Sequence, residues 1–387
     1  MNQPASAMNP PMPSLAERAW LLEAFKGLGC LFIVLHHLAF YGPMADVVAQ
    51  AWPLGIGWLN EHGRLAVQAF LVCGGYLTAN SLAKLGPLAG HQIWGLVRKR
   101  YLRLAIPLLA ALSLTVLVTE LLRPFFGHDS LSPPPEFWQT LAHVFFLQHL
   151  WGMDGLSAGV WYVAVDLQLY VSALLLMLIA QQTQALWPRW PLKAWLGSLW
   201  FVLVAGSLWW WNRHPELDDL NLYFLGAYGL GWLAYAVRHA QAPQIGALAI
   251  VVLGAVAWWL EPRWRVATAW GVAMSLACAP QAWWMGTGQT VSPWRQVLAW
   301  LSRVSYSVFV VHFAVSLVVN AVVTHVWPAD LWVNALGMLA SLTLSLVAGT
   351  WLYEKVEKPA ATGRRWWVWT EVFIASTLLA TLINGTL

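Results

Sequence analysis

Charge is what this chain has least of. Only 10% of its 387 residues are Asp, Glu, Lys or Arg, where a soluble domain carries about 25%. Such a balance excludes a soluble globular enzyme, and a net charge of +4 spread over loops gives no nucleic-acid footprint. Cysteine is scarce too: Cys30, Cys73 and Cys278 lie in apolar runs without CxxC spacing. They read as small core residues, and neither a disulfide framework nor a metal site is expected. There is no GxSxG elbow, no P-loop and no HExxH, so common hydrolase, nucleotide-phosphate and zinc-protease signatures are missing. No internal repeat is visible, which leaves inverted-repeat transporter architecture without support. The first 14 residues, MNQPASAMNPPMPS, are Pro-rich and uncharged. Lacking a basic n-region, they read as a disordered cytoplasmic tail and not as a signal peptide.

What is present is apolar. Hydrophobic residues make up 59% of the chain, with a mean hydropathy of +0.58. The expectation is an all-α, polytopic transmembrane bundle. Runs near 20 residues, bounded by Pro, Gly or charge, mark about eleven spans: 17–40, 64–83, 101–122, 159–180, 193–211, 219–238, 244–260, 264–285, 297–324, 331–353 and 367–386. Ten belong to a core over 15–360, and 361–387 adds a C-terminal helix. The 29 tryptophans gather near span ends, among them Trp52, Trp58, Trp259, Trp283, Trp284 and Trp367, as an interfacial belt requires. Basic residues concentrate in loops 84–100 and 354–366 and near Arg189, Arg238 and Arg295, while the alternate loops carry acids. The positive-inside rule then sets the N-terminus in the cytoplasm and the C-terminus outside. The longest outer segment, 123–158, has an apolar middle too short to span, read as a re-entrant or interfacial helix.

Ionisable groups inside spans are functional candidates by default. In the first span, KGLGCLFIVLHHLAFY, His37 follows Lys26 by eleven residues. At 100° per residue the two share a face to within roughly 20°, whereas His36 points about 80° away. Arg100 and Arg103 neighbour each other on the third helix in LVRKRYLRLAIP. They fit a phosphate grip, although any cytoplasmic helix end collects basic residues. Asp166, in WYVAVDLQLY between Trp161 and Tyr170, needs a cation or a histidine as partner. LSRVSYSVFVVH brings Tyr306 and His312, which also suit helix-to-helix bonding. Close helix packing suffices to explain Gly74-Gly75.

Taken in order, these stretches resemble the acyltransferase-3 family of integral membrane acyltransferases. The matching residues are Lys26 and His37 for its Arg-x10-His, Gly74-Gly75-Tyr76, and Arg100, Arg103 and Pro107. Trp161, Asp166 and Tyr170 follow, then Ser305, Tyr306 and His312, and last Glu357-Lys358-Pro359. Lys26 stands where that family has Arg, and Asp166 where Glu is commoner. The resemblance implies a bacterial inner-membrane enzyme that O-acetylates sugars of envelope or extracellular glycans. No cofactor would be permanently bound, and acetyl-CoA would serve as co-substrate. His37 would be the general base, or would first carry the acyl group. Asp166 would hold its tautomer. Lys26, Arg100 and Arg103 would line the acyl-CoA path, with Lys26 about 16 Å from His37. Trp151 and Trp138 would hold a glycan or lipid-linked saccharide acceptor, in concert with a polysaccharide synthesis complex. Two other readings compete: a transporter or flippase, and a non-catalytic partner of a polysaccharide synthase.

Overall fold

The computed structural model describes residues 19–284 and 292–384; the tail at 1–14 lies outside them. Every regular element among the described residues is a helix. By length and composition, nine helical segments among them can cross a membrane: Trp20–Phe40, Pro53–Ala83, Gly90–Leu122, Val160–Leu186, Leu192–Arg213, Pro243–Leu260, Pro293–Val326, Leu331–Glu357 and Gly363–Ile383. The expected spans at 219–238 and 264–285 fall short. The helix Asn221–Arg238 buries 13 of its 18 residues; shielded from lipid by its neighbours, it carries glycine and tyrosine in place of apolar bulk. Trp264–Cys278 has only 15 residues.

In chain order the helices are α1 (Trp20–Phe40), α2 (Pro43–Ala51), α3 (Pro53–His62), α4 (Ala66–Ala83), α5 (Gly90–Leu122), α6 (Phe137–Phe145), α7 (Val160–Leu186) and α8 (Leu192–Trp209). They continue as α9 (Asn221–Arg238), α10 (Pro243–Leu260), α11 (Trp264–Cys278), α12 (Gln281–Trp284), α13 (Pro293–Val326), α14 (Leu331–Leu352) and α15 (Gly363–Ile383). α1 packs along α13 and α4, α4 against α9, α13 against α14, and α15 along α5. Glycine makes the α4–α9 crossing possible. A Cβ on Gly75 would lie 1.8 Å from the Tyr228 carbonyl oxygen, and one on Gly231 would lie 1.9 Å from that of Val72. The two backbones touch reciprocally, the small-residue packing expected of membrane helices.

Two expectations change. Residues 90–100 are not loop but the first turns of α5. At 33 residues, about 50 Å, that helix outruns a hydrocarbon core of roughly 30 Å, so its exposed Arg98 and Lys99 need no loop to reach water. The belt reading fits exposed Trp52, Trp58, Trp259, Trp283 and Trp367, but Trp284 is buried. Cys30 and Cys73 are buried and free, while Cys278 is free and exposed.

The 123–158 segment folds into the bundle. Ala142, His143 and Val144 of α6 are buried, and the Tyr101 hydroxyl of α5 donates to the Val144 carbonyl at 2.6 Å. Phe137, Trp138 and Phe145 remain exposed on its other face. α6 thus exposes an aromatic face and buries one that mixes Ala142 and Val144 with Thr140 and His143. It ends at Phe146, whose left-handed φ of 61° turns the chain back.

Candidate active site

The C-terminal end of α1, the α3–α4 junction, the start of α7 and the folded-in 123–158 segment enclose a cavity of about 870 Å³. His36 and His37 line it, with Tyr41, Asn60, Arg64, Gln139, Asp154 and Trp161 among the other walls. Its size lies within the range of small-molecule sites.

Both imidazoles reach this cavity, their ring centroids 5.2 Å apart. They differ in what stands behind them. His36 Nδ1 lies 3.3 Å from the Leu59 carbonyl oxygen. His37 Nδ1 lies 2.7 Å from His312 Nε2, too close for face-to-face ring contact, so the bond runs near the ring planes, which are 7° apart. His312 Nδ1 is 2.7 Å from the Phe309 carbonyl oxygen. A carbonyl only accepts, so His312 carries its proton on Nδ1 and offers a lone pair at Nε2. His37 then donates from Nδ1, and its neutral ring keeps a lone pair on Nε2. The network thus assigns the tautomer a general base needs. α13 supplies this second histidine because it packs along α1 in the register that sets Leu298 beside Gly27 and the Ser305 carbonyl beside Cys30.

Asp166 is not that orienting group. Its carboxylate accepts from Arg100, Nε at 3.2 Å and Nη2 at 2.6 Å. The guanidinium also stands over the Tyr170 ring at 5.5 Å. The expected triad of carboxylate and imidazole therefore resolves into two separate pairs: Asp166 with the cation that its burial demanded, and His37 with His312. The Arg100 fork, expected on a phosphate, is occupied by a carboxylate. A Cβ on Gly74 would sit 3.8 Å from Asp166 Oδ1, an ordinary contact.

Below the histidines lies a second polar group. Lys26 shares its surroundings with Cys73, Arg103 and Glu357. Arg103 is exposed, and Pro107 one turn on leaves the Arg103 carbonyl without its helical N–H. A π-helical turn over Tyr353–Glu357 carries the Glu357 carboxylate to Ser307, whose hydroxyl donates to it at 2.6 Å. The Tyr306 hydroxyl donates to the Leu104 carbonyl at 2.6 Å and ties α13 to α5.

The remaining candidates divide. Trp161 lines the cavity and stacks on Phe224 at 5.2 Å. Trp151 does not: it is exposed and stands outside the lining, as does Trp138. The loop that carries them turns polar side chains inward instead.

Three residues escaped the sequence reading. His143 is 1% exposed; its Nδ1 donates to the Gln139 carbonyl at 2.8 Å and its Nε2 accepts the Leu156 N–H at 3.1 Å. Burial pushes its pKa down to about 4. Glu120, also buried, takes a two-pronged grip from Arg123 at 2.8 Å and a hydrogen bond from Asn384. Arg64 lies on the cavity wall. The i,i+3 spacing of Glu120 and Arg123 was a signal available in the sequence, whereas His143 is satisfied through the backbone of a distant loop residue, Leu156, which no spacing marks.

A family model described as an acyltransferase domain matches residues 20–354, which include both histidines and the Arg100–Asp166 pair. The chain is also similar to the regulator of hypoxia-inducible factor 1 of Caenorhabditis elegans, 27% identical over 166 residues, or 40% of this chain. That match spans 33% of the relative, so the chain covers about a third of its length. No solved structure matches.

Proposed function

The chain belongs to this acyltransferase family, and from that premise we propose that it O-acetylates a sugar hydroxyl at the cavity over His37, using acetyl-CoA. The observation that carries the reading is the Phe309–His312–His37 relay, which leaves His37 Nε2 unprotonated beside a cavity of about 870 Å³.

The acceptor hydroxyl gives its proton to His37 Nε2 as its oxygen attacks the thioester carbonyl. The new C–O bond forms, the C–S bond breaks, and the imidazolium returns the proton to the departing thiolate. His312 holds the ring and, through the Phe309 carbonyl, spreads the positive charge. Trp161 offers the apolar face that sugar rings need, and Asn60, Gln139 and Asp154 offer hydroxyl partners. Acetyl-CoA would enter from the cytoplasmic end, past Arg103 and Lys26. Arg100 and Asp166 hold α5 against α7 beside that path. The chain would sit in a bacterial inner membrane, N-terminus inside, and act on an envelope glycan or a lipid-linked saccharide, within reach of a polysaccharide synthesis complex.

Mass spectrometry of envelope glycans tests this. Cells making the wild-type chain should carry an acetyl ester that disappears with His37→Ala, at equal membrane levels of the protein. An ester retained in full with His37→Ala would remove the assignment.

A further inference from the structure

A second cavity, of about 530 Å³, is lined by Tyr76, Arg238, His239, Gln281 and Trp284. Val67 of α4 lines the cavity over His37, and Tyr76 lies nine residues on, about 13–14 Å along the same helix. Cys73, which shares its surroundings with Lys26, lies between them. α12, which carries Trp284, packs against α1. The second cavity therefore sits further along the bundle, on the Lys26 side of the histidines.

Its walls have a definite chemistry. The Arg238 guanidinium lies over the Trp284 indole at 4.4 Å and donates to the Ala279 carbonyl at 2.7 Å and to Gln281 Oε1 at 2.5 Å. Those bonds fix the fork but leave its charge unneutralised: among the described residues no carboxylate pairs with it, in contrast to Arg100. Trp284 stacks on Tyr76 at 5.3 Å, and its buried indole N–H has no partner among the described residues. His239 Nδ1 donates to the Tyr235 carbonyl at 2.9 Å, which leaves Nε2 for an incoming group. A fixed cation, an idle buried donor and an imidazole acceptor in one cavity suit a phosphorylated purine: guanidinium and indole N–H for phosphate, His239 Nε2 for the exocyclic amine of the base.

We infer that this cavity binds the nucleotide end of the acyl-CoA donor, through Arg238, Trp284 and Tyr76. The inference rests on the donor reading above. It also supplies the phosphate contact that Arg100, held by Asp166, does not. The pantetheine arm would then run past Cys73 and Lys26 toward His37.

Calorimetry on the full chain in nanodiscs tests it, with coenzyme A and adenosine 3′,5′-bisphosphate as probes. Wild type should bind coenzyme A, and the bisphosphate should compete. Arg238→Gln and Trp284→Leu should each weaken coenzyme A about tenfold or more, as loss of one charge-assisted contact implies. Arg189→Gln, an exposed charge elsewhere, should not. If both variants melt like wild type and bind coenzyme A equally well, the nucleotide site is wrong and the donor reading stands. If wild type binds no coenzyme A, the donor reading fails and takes the site with it. Photocrosslinking of 8-azido-coenzyme A to the wild-type chain reads the same site without mutation. Adducts on Tyr76 or Trp284 support it, and adducts confined to other helices overturn it.

Discussion

At the scale of single residues, the two histidines of α1 separate by what supports them. His37 leans on a second imidazole whose own tautomer is fixed by a carbonyl, whereas His36 leans on a carbonyl alone. His36→Ala should keep most acyl transfer. His312→Ala should lower the rate by about 10² to 10⁴, since loss of an orienting group leaves the base in the wrong tautomer. His312→Gln, whose amide can still accept from His37, should recover part of it. Rates of acetyl transfer by the purified variants decide this, and equal rates for His312→Ala and wild type would remove His312 from the site. The Arg100–Asp166 pair makes a different prediction. Asp166 is 9% exposed and Arg100 28%. Removing either partner strands a charge, at about 2–3 kcal/mol once the exposure of Arg100 is allowed for. Arg100→Ala and Asp166→Ala should therefore each lower the melting temperature, and the double variant should lose less than their sum. Strict additivity would show that the pair is not coupled.

Much of this was legible in the sequence, and the limits were physical. Helical phase aligned His37 with Lys26, and burial cost required a partner for Asp166. The family spacing drew the same residues together. Partner choice was not legible, because it depends on how α7 and α13 are turned relative to α5 and α1. Asp166 could have met either a histidine or a cation, and the packing chose Arg100.

At the scale of elements, two devices fix the packing around the site. The first is the α4–α9 crossing. Gly75→Ala would drive a Cβ into backbone that cannot rotate away, at a cost of more than about 3 kcal/mol. Gly74→Ala meets nothing closer than the Tyr228 ring at 3.4 Å and should be far milder. Thermal unfolding of the two variants compares them, and equal melting would mean that the helices are not in backbone contact. The second device is α6, pinned by a neutral His143. Its folded pKa, about 4, lies below the ordinary 6.5. The unfolded chain therefore binds the extra proton first as pH falls. The stabilisation is whole above pH 6.5 and drains away between 6.5 and 4, up to about 3 kcal/mol. The protection factor of the Leu156 amide, measured by hydrogen exchange and corrected for the slower intrinsic exchange in acid, should fall between pH 6.5 and 4, and His143→Gln should flatten that response. The sequence showed that residues 136–151 were apolar and too short to span. It did not show that a histidine on this stretch would be satisfied at both nitrogens.

For the whole molecule, the described residues form a helical bundle in which the cavity over His37 and the one around Arg238 are offset along α4. One is polar and overlooked by His37; the other is aromatic and cationic around Arg238. An acyl group would travel between them, so the acceptor need never meet the nucleotide. Helix count was the least legible feature, because α9, with 13 of its 18 residues buried, carries glycine and tyrosine where a span is marked by apolar bulk. α15, beyond the matched residues 20–354, still locks onto α5 through Trp366, which donates to Tyr101 at 3.0 Å, and through the bond of Asn384 to Glu120.

The claim at the centre is that His37 takes the acceptor proton. Its most direct test is single-turnover acetyl transfer from labelled acetyl-CoA by wild-type and His37→Ala proteins in nanodiscs, with coenzyme A binding measured in the same samples. The account predicts transfer at background level in His37→Ala with coenzyme A binding intact. Transfer near the wild-type rate in His37→Ala would contradict it.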